Sequence, residues 1–278
     1  LALIAQNNKP THADTLRGSN GPARNWWYIT HYAITVDPDY KSRSISGTVD
    51  IRFEVSHKKH VAEMQVDLQA PMILDSVLYQ QQALRWRQEG NAYFLNIENI
   101  PLQDSVLHCY FHGTPRAAVR PPWDGGWIWS KDKAGNPWIS VACQGLGASV
   151  WYPCKDYQGD EPDRGASLLV YCADSLQAIA NGRLVESGKA DGKNYFKWSV
   201  QNPINNYNIV PYIGQYSHWH ETYAGAKGPL DMDFWALPAN EARARTQFKD
   251  ASRMMQAFEY WFGPYPFYED GYKLIEAP

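Results

Sequence analysis

A two-residue alternation runs through residues 45–55, where Ile45, Val49, Ile51, Phe53 and Val55 are interleaved with Ser46, Thr48, Asp50, Arg52 and Glu54. Side chains of period two fall on opposite faces of an extended backbone, so this stretch is a half-buried antiparallel strand. The same rhythm recurs at Tyr32, Ile34 and Val36, at Met64, Val66 and Leu68, over 73–79, and at Tyr93, Leu95 and Ile97. It returns over 168–173, over 178–180, at Phe196, Trp198 and Val200, and over 209–219. Short turn-forming stretches separate the runs, beginning with Pro38-Asp39. A chain of this pattern is mainly β, folded as a sandwich or curved sheet. Residues 106–112 carry apolar or aromatic side chains at both phases, which predicts a strand covered on both sides. Asn181-Gly182 and Asp191-Gly192 are dipeptides that suit hairpin turns.

The period changes once. Phe248, Ala251, Met255, Phe258 and Phe262 stand three and four apart, which predicts one amphipathic helix over 240–262 with its apolar stripe in a core. Glu241 lies in its first turn, and Gly263-Pro264 ends it. A short strand around 232–237 precedes this helix, and one over 272–277 follows it. A helix and a strand cannot bury their apolar faces alone, so they pack back on the β-domain or open a second domain. The expected division is a leader or flexible segment over 1–24, a β-domain over 25–221, and the start of another domain over 222–278.

Charge and composition exclude several classes. The net charge is −3 and Lys58-Lys59 is the only adjacent basic pair, so nucleic acid is not an expected partner. Nothing approaches the roughly 18 consecutive apolar residues of a membrane helix, so no membrane span is expected. The apolar pentad at 1–5 fits the tail of a secretory signal, with export to the periplasm or the exterior; otherwise the chain is cytoplasmic. Cys109, Cys143, Cys154 and Cys172 form no C-x-x-C pair, so a zinc knuckle is not expected. Buried free thiols are the default, with a disulfide among them if the protein is exported.

The densest run of unusual residues is 141–156. Gly145 and Gly147 follow Gln144 closely, and Trp151-Tyr152 leads into Pro153-Cys154-Lys155-Asp156. The glycines permit a sharp bend at Gln144. Such a bend either satisfies buried backbone groups or presents the glutamine to a ligand. Trp123, Trp127, Trp129 and Trp138 stand in or beside a stretch rich in Pro, Gly and Trp; they would stack on a sugar, dock a partner, or pin the loop to the sheet. His218 and His220 share one face of a strand and would share a metal, but no third ligand is placed. Asp160, Glu161 and Asp163 lack a calcium-loop pattern and read as a solvated turn.

Three stretches, in order, carry a likeness to a known family. Gly126-Trp127-Ile128-Trp129-Ser130 looks like a glycine–aromatic–serine strand. Ala142-Cys143-Gln144, followed by Tyr152-Pro153-Cys154-Lys155-Asp156, looks like a Gln or Glu ahead of a Pro-Cys-x-Asp turn. Phe258-Glu259-Tyr260-Trp261-Phe262-Gly263-Pro264-Tyr265-Pro266, then Lys273-Leu274-Ile275-Glu276-Ala277-Pro278, looks like a helix, a Gly-x-Pro-Tyr-Pro turn and a strand leading to an active site. Together they resemble the amino-terminal part of the M1 zinc metallopeptidases, the gluzincin aminopeptidases that include leukotriene A4 hydrolase, over residues 27–278.

The resemblance implies an antiparallel, saddle-like β-sandwich domain followed by the first strand–helix–strand elements of a truncated thermolysin-like α/β catalytic domain. It implies a peptide substrate with a free amino end, and a zinc ion in the full-length parent that activates water. Gln144 stands at the position of the family's substrate-anchoring residue; a neutral amide there accepts a hydrogen bond from an ammonium but forms no ion pair. Neither His-Glu-x-x-His nor Gly-x-Met-Glu-Asn occurs in the sequence. The expectation is therefore no catalytic residue, no zinc ligand and no activity in this piece alone. Two other readings stand beside it: a non-catalytic β-sandwich module that binds a carbohydrate or a protein partner, and a scaffold descended from the same family without its zinc site.

Overall fold

The computed structural model describes residues 9–56, 62–98 and 105–278. The apolar pentad and the Lys58-Lys59 pair lie outside the described residues. Strand pattern dominates, as the alternation predicts. An eight-stranded sheet runs from edge to edge through Arg183–Ala190, Lys193–Val200, Ala166–Cys172, Trp27–Asp39, Ser44–Val55, Ser105–Gly113, Met72–Tyr79 and Gln82–Ala83. A four-stranded sheet orders Gln177–Ile179, Tyr212–Gly214, Pro137–Ala142 and Gly126–Lys131. A three-stranded sheet orders Glu63–Asp67, Ala92–Asn96 and Trp86–Glu89. All three contribute to one apolar core, with Ile29, Val49 and Phe53 from the large sheet, Val66 and Leu95 from the small one, and Trp127 and Ile213 from the third. Ile45, Val49, Ile51 and Phe53 are buried as their spacing requires.

The large sheet is antiparallel except at one place. Trp27–Asp39 pairs in parallel with Ala166–Cys172, Tyr32 lying opposite Ala166 and Val36 opposite Val170. The strand over 105–113 is covered on one face only: Leu107, Cys109 and Phe111 are buried, whereas Tyr110 is exposed. His108 and His112 on that outer face pair with Asp50 and Asp75 at 2.8 and 2.7 Å, so polar partners take the place of the expected second layer. Asp191-Gly192 closes a hairpin between two strands of the large sheet. Asn181-Gly182 does not, because the chain there leaves the four-stranded sheet to enter the eight-stranded one.

A second apolar cluster joins Trp219, Tyr223, Leu230, Met232 and Phe234 to Ala251 and Met255. Its strands are Ser217–Gly225, Gly228–Ala236 and Tyr272–Ile275, the last two parallel. The division expected at 221/222 falls inside Ser217–Gly225, which pairs with Gly228–Ala236 along its whole length. The strand expected over 209–219 is two strands in different sheets, and Tyr216 at the crossing accepts from Trp138 Nε1 at 3.0 Å and donates to the Glu276 carbonyl.

The helix expected over 240–262 is two, Glu241–Gln247 and Asp250–Phe262. Phe248 sits at the break with its ring 5.9 Å from that of Trp219 and 5.7 Å from that of Phe234. Phe258 and Phe262 leave the expected core stripe and are exposed, together with Tyr260 and Trp261. The hairpin meets this half of the helix through Glu259, which accepts from Tyr223 Oη at 2.8 Å and from the Ala226 amide. Among the described residues no helix is long and apolar enough to cross a membrane.

Lys273 joins the two clusters, its ammonium 4.9 Å from the Trp198 ring. Burial lowers it from 10.5 to about 8, against the opposing pull of Asp233. Between those two values the unfolded chain holds a proton that the folded chain has released, so this group's contribution to stability rises with pH from about 8 to 10.5. Lys273→Met removes a cost of about 2–3 kcal/mol at pH 7 and gains little near pH 10.5. Urea melts of both proteins at the two pH values read the difference, and an equal gap at both would refute it.

Candidate functional site

The strand Pro137–Ala142 lies between Gly126–Lys131 and Tyr212–Gly214 and delivers the chain to Cys143. There it turns: the amides of Leu146 and Gly147 both donate to the Cys143 carbonyl at 3.0 Å. Gly145 (φ +68) and Gly147 (φ +82) adopt the backbone that the sequence reserves for them. Gln144 stands exposed at the tip of this turn. Gln69 holds the turn from behind, its Nε2 donating to the Leu146 carbonyl at 2.6 Å and to Ser149 Oγ at 2.9 Å.

Beneath the turn lies a buried polar cluster. Gly147 has ψ 176 as well as positive φ, a region that only glycine occupies freely, and a Cβ there would stand 2.3 Å from Asp156 Oδ2. Asp156 Oδ2 instead accepts from Ser149 Oγ at 2.5 Å. The Asp156 amide donates to Asp67 at 3.0 Å, and Asp67 also accepts from Gln65 and pairs with Arg24, whose side chain is 0 % exposed. Lys155 Nζ donates to the Trp27 carbonyl at 2.5 Å and to the Asp160 carboxylate. Burial draws the Lys155 ammonium below its ordinary value, and Asp160 resists this. Of the segment expected as a solvated turn, Glu161 and Asp163 are exposed as expected, whereas Asp160 is the partner of a buried cation. These bonds tie the turn to the eight-stranded sheet through Trp27 and to the small sheet through Asp67.

Gln144 lines a cleft of about 590 Å³ with Arg17, Gln158, Tyr207, Asn208 and Tyr212. Its polar equipment is amide, phenol and guanidinium, with no carboxylate or imidazole side chain lining it among the described residues. Such a surface binds by hydrogen bonds and has no acid–base pair for chemistry. Cys143 beside Gln144 is no nucleophile: burial pushes its thiol up to about 12. All four cysteines are buried and free.

Solved structures share this architecture. The M1 zinc metallopeptidase of Deinococcus radiodurans superposes with a TM-score of 0.74 at 18% identity, over 91% of this chain and 57% of that one. A mutant of that enzyme bound to a Tyr-Ser-Ala substrate gives the same TM-score and coverage. The native yeast LTA4 hydrolase superposes with a TM-score of 0.70 at 17% identity, over 96% of this chain and 42% of that one. The fold is that of the amino-terminal region of the M1 zinc metallopeptidases. The chain spans a little over half of the Deinococcus enzyme and less than half of the yeast one. No protein-family model and no curated protein sequence matches it.

On this fold the residues singled out by sequence separate into groups. Gln144 lies in the cleft. His218 and His220 both pair with Asp233, at 2.8 and 3.4 Å. Among the described residues no group of three or more His, Cys, Asp or Glu is placed to hold a metal, so these residues do not fit a zinc centre. The tryptophans do not form a platform: Trp127 is 0 % exposed and stacks on Trp129 at 5.1 Å, while Trp138 bonds to Tyr216. Trp123 alone stands out, at 84 % exposed.

Arg17 and the partnership of Asp160 with Lys155 were not read from the sequence. Arg17 belongs to the helix His12–Gly18, within the segment grouped as leader or flexible. Its signal was present: Thr11 and Asp14 form a capping box at the start of that helix.

Proposed function

We propose that this chain is the amino-terminal part of a zinc-dependent metalloaminopeptidase that removes amino-terminal residues from peptides. Gln144 supplies part of the pocket for the substrate's amino end, and this piece alone is inactive. The observation that carries the reading is the placement of Gln144, exposed on a doubly glycine-shaped turn and lining a cleft, on an M1 fold. The relative bound to Tyr-Ser-Ala supports a peptide as substrate. The Gln144 amide oxygen accepts from the peptide's ammonium, while Tyr207, Tyr212 and Asn208 offer further hydrogen bonds around it. In a full-length parent, zinc would supply the Lewis acid for water attack, while the residues of this chain bind and orient the peptide's amino end.

The β-domain over 25–221 leads into the start of the catalytic domain over 222–278, with the strand Ser217–Gly225 running across the junction. The exposed Phe258, Tyr260, Trp261 and Phe262 suit a surface that more of the catalytic domain covers.

Gln144→Ala in the full-length protein lowers kcat/KM for aminoacyl substrates by about tenfold, the loss of one hydrogen bond to a charged group. An unchanged kcat/KM would remove Gln144 from the site. A coding sequence without His-Glu-x-x-His beyond Pro278 would end the peptidase reading and leave the scaffold.

A further inference from the structure

We infer that Arg17 is a specificity-determining residue of the Gln144 cleft, giving it a preference for peptides whose first side chain carries a carboxylate; this rests on the peptide reading above. The backbone of Arg17 is fixed from below. Arg24, itself fully buried, donates from Nη1 to the Arg17 carbonyl at 2.7 Å, and Gln65 donates to the Leu16 carbonyl at 2.9 Å. At the far end of the helix, His12 meets Glu89 at 2.5 Å. Three contacts therefore dock a helix of seven residues that would not hold its shape alone.

The side chain, by contrast, is exposed and lines the cleft. Its Nη2 donates to the Gly145 carbonyl at 3.0 Å, next to Gln144 in the same turn. That bond occupies one N–H of five, and the others make no hydrogen bond among the described residues. Among the described residues lining the cleft Arg17 carries the only charged side chain, the polar remainder being amides and phenols; Asp14, three residues earlier on the same helix, feels its charge but already accepts from Thr11. A guanidinium held at one corner keeps a fork of donors that matches a carboxylate. The ammonium acceptor at Gln144 and the carboxylate donor at Arg17 meet around one turn. The ligand that this pairing calls for is an amino-terminal glutamate or aspartate, with its amino group on the amide and its side chain on the guanidinium.

The test uses the full-length protein and two tripeptides with a reduced, uncleavable first peptide bond, Glu-Ala-Ala and Gln-Ala-Ala, with binding measured by calorimetry. The Glu peptide binds about 5- to 10-fold tighter, the size of a charge-assisted hydrogen bond at a partly exposed site. Arg17→Gln brings the ratio of the two affinities to about one, and Arg17→Lys restores most of it. Gln144→Ala weakens both peptides together. Equal binding of the two peptides by the unaltered protein overturns the role of Arg17 while leaving Gln144 as the anchor. An Arg17→Gln loss that falls equally on both peptides shows a structural role only, and overturns it too. Binding of both peptides that ignores Gln144→Ala removes the anchor instead, and absence of binding overturns both.

Discussion

Replacing Gly147 by alanine lowers the stability of the protein by about 3–5 kcal/mol and its Tm by about 10 °C. Two costs combine. The backbone at φ 82 and ψ 176 is one that a Cβ penalises by about 1–3 kcal/mol. The new methyl also stands in the space of the Asp156 carboxylate, 2.3 Å from Oδ2, and must push it off Ser149. A buried carboxylate that loses such a partner costs about 1.5–3 kcal/mol more. Gly145→Ala is the control: its φ of +68 is also positive but the space around it is open, so only about 1 kcal/mol is lost. Thermal melts of the two variants side by side decide the matter. If Gly147→Ala melts no lower than Gly145→Ala, the carboxylate is not the rigid neighbour described here.

Removing the Asp67 carboxylate has an effect of the same size. Asp67→Ala leaves the Arg24 guanidinium, 0 % exposed, without its counter-charge, removes the partner of the Asp156 amide, and leaves Gln65 with only its bond to the Leu16 carbonyl. Breaking one side of a buried pair costs about 3–5 kcal/mol, because the remaining charge stays desolvated. The double variant Arg24→Met with Asp67→Leu recovers much of that loss by replacing the pair with apolar volume. Urea midpoints at constant m-value measure both. An Asp67→Ala protein within about 1 kcal/mol of the unaltered one would show that water reaches Arg24.

Much of this could be read in the chain, and what could not has a physical cause. The alternation around Ile45 to Val55 reports its own strand because the signal is local and one face is buried. It carries nothing about pairing partners, so the parallel alignment of Trp27–Asp39 with Ala166–Cys172 was out of reach. The helix over 240–262 was overdrawn because Phe248 fits its spacing, while packing against Trp219 and Phe234 turns the chain there. Asn240, a natural helix start, spends its side chain on Glu276 instead. Gln144 was legible because glycines mark unusual backbone, whereas Asp160 was misjudged because its cation, Lys155, belongs to a run of aromatics five residues away. Arg17 was hidden by distance: its contact with Gly145 spans 128 positions, and only the fold brings them together.

The one parallel pairing in the large sheet sets an order of events during synthesis. Strands from Trp27 to Gly113 pair antiparallel with one another and have all emerged once Gly113 is made. Tyr32 must wait for Ala166, which a ribosome adding about 5–20 residues per second delivers on the order of ten seconds later. Until then the Trp27–Asp39 edge is an unpaired template, and for that interval the nascent chain is most open to capture by a chaperone or by another copy of itself.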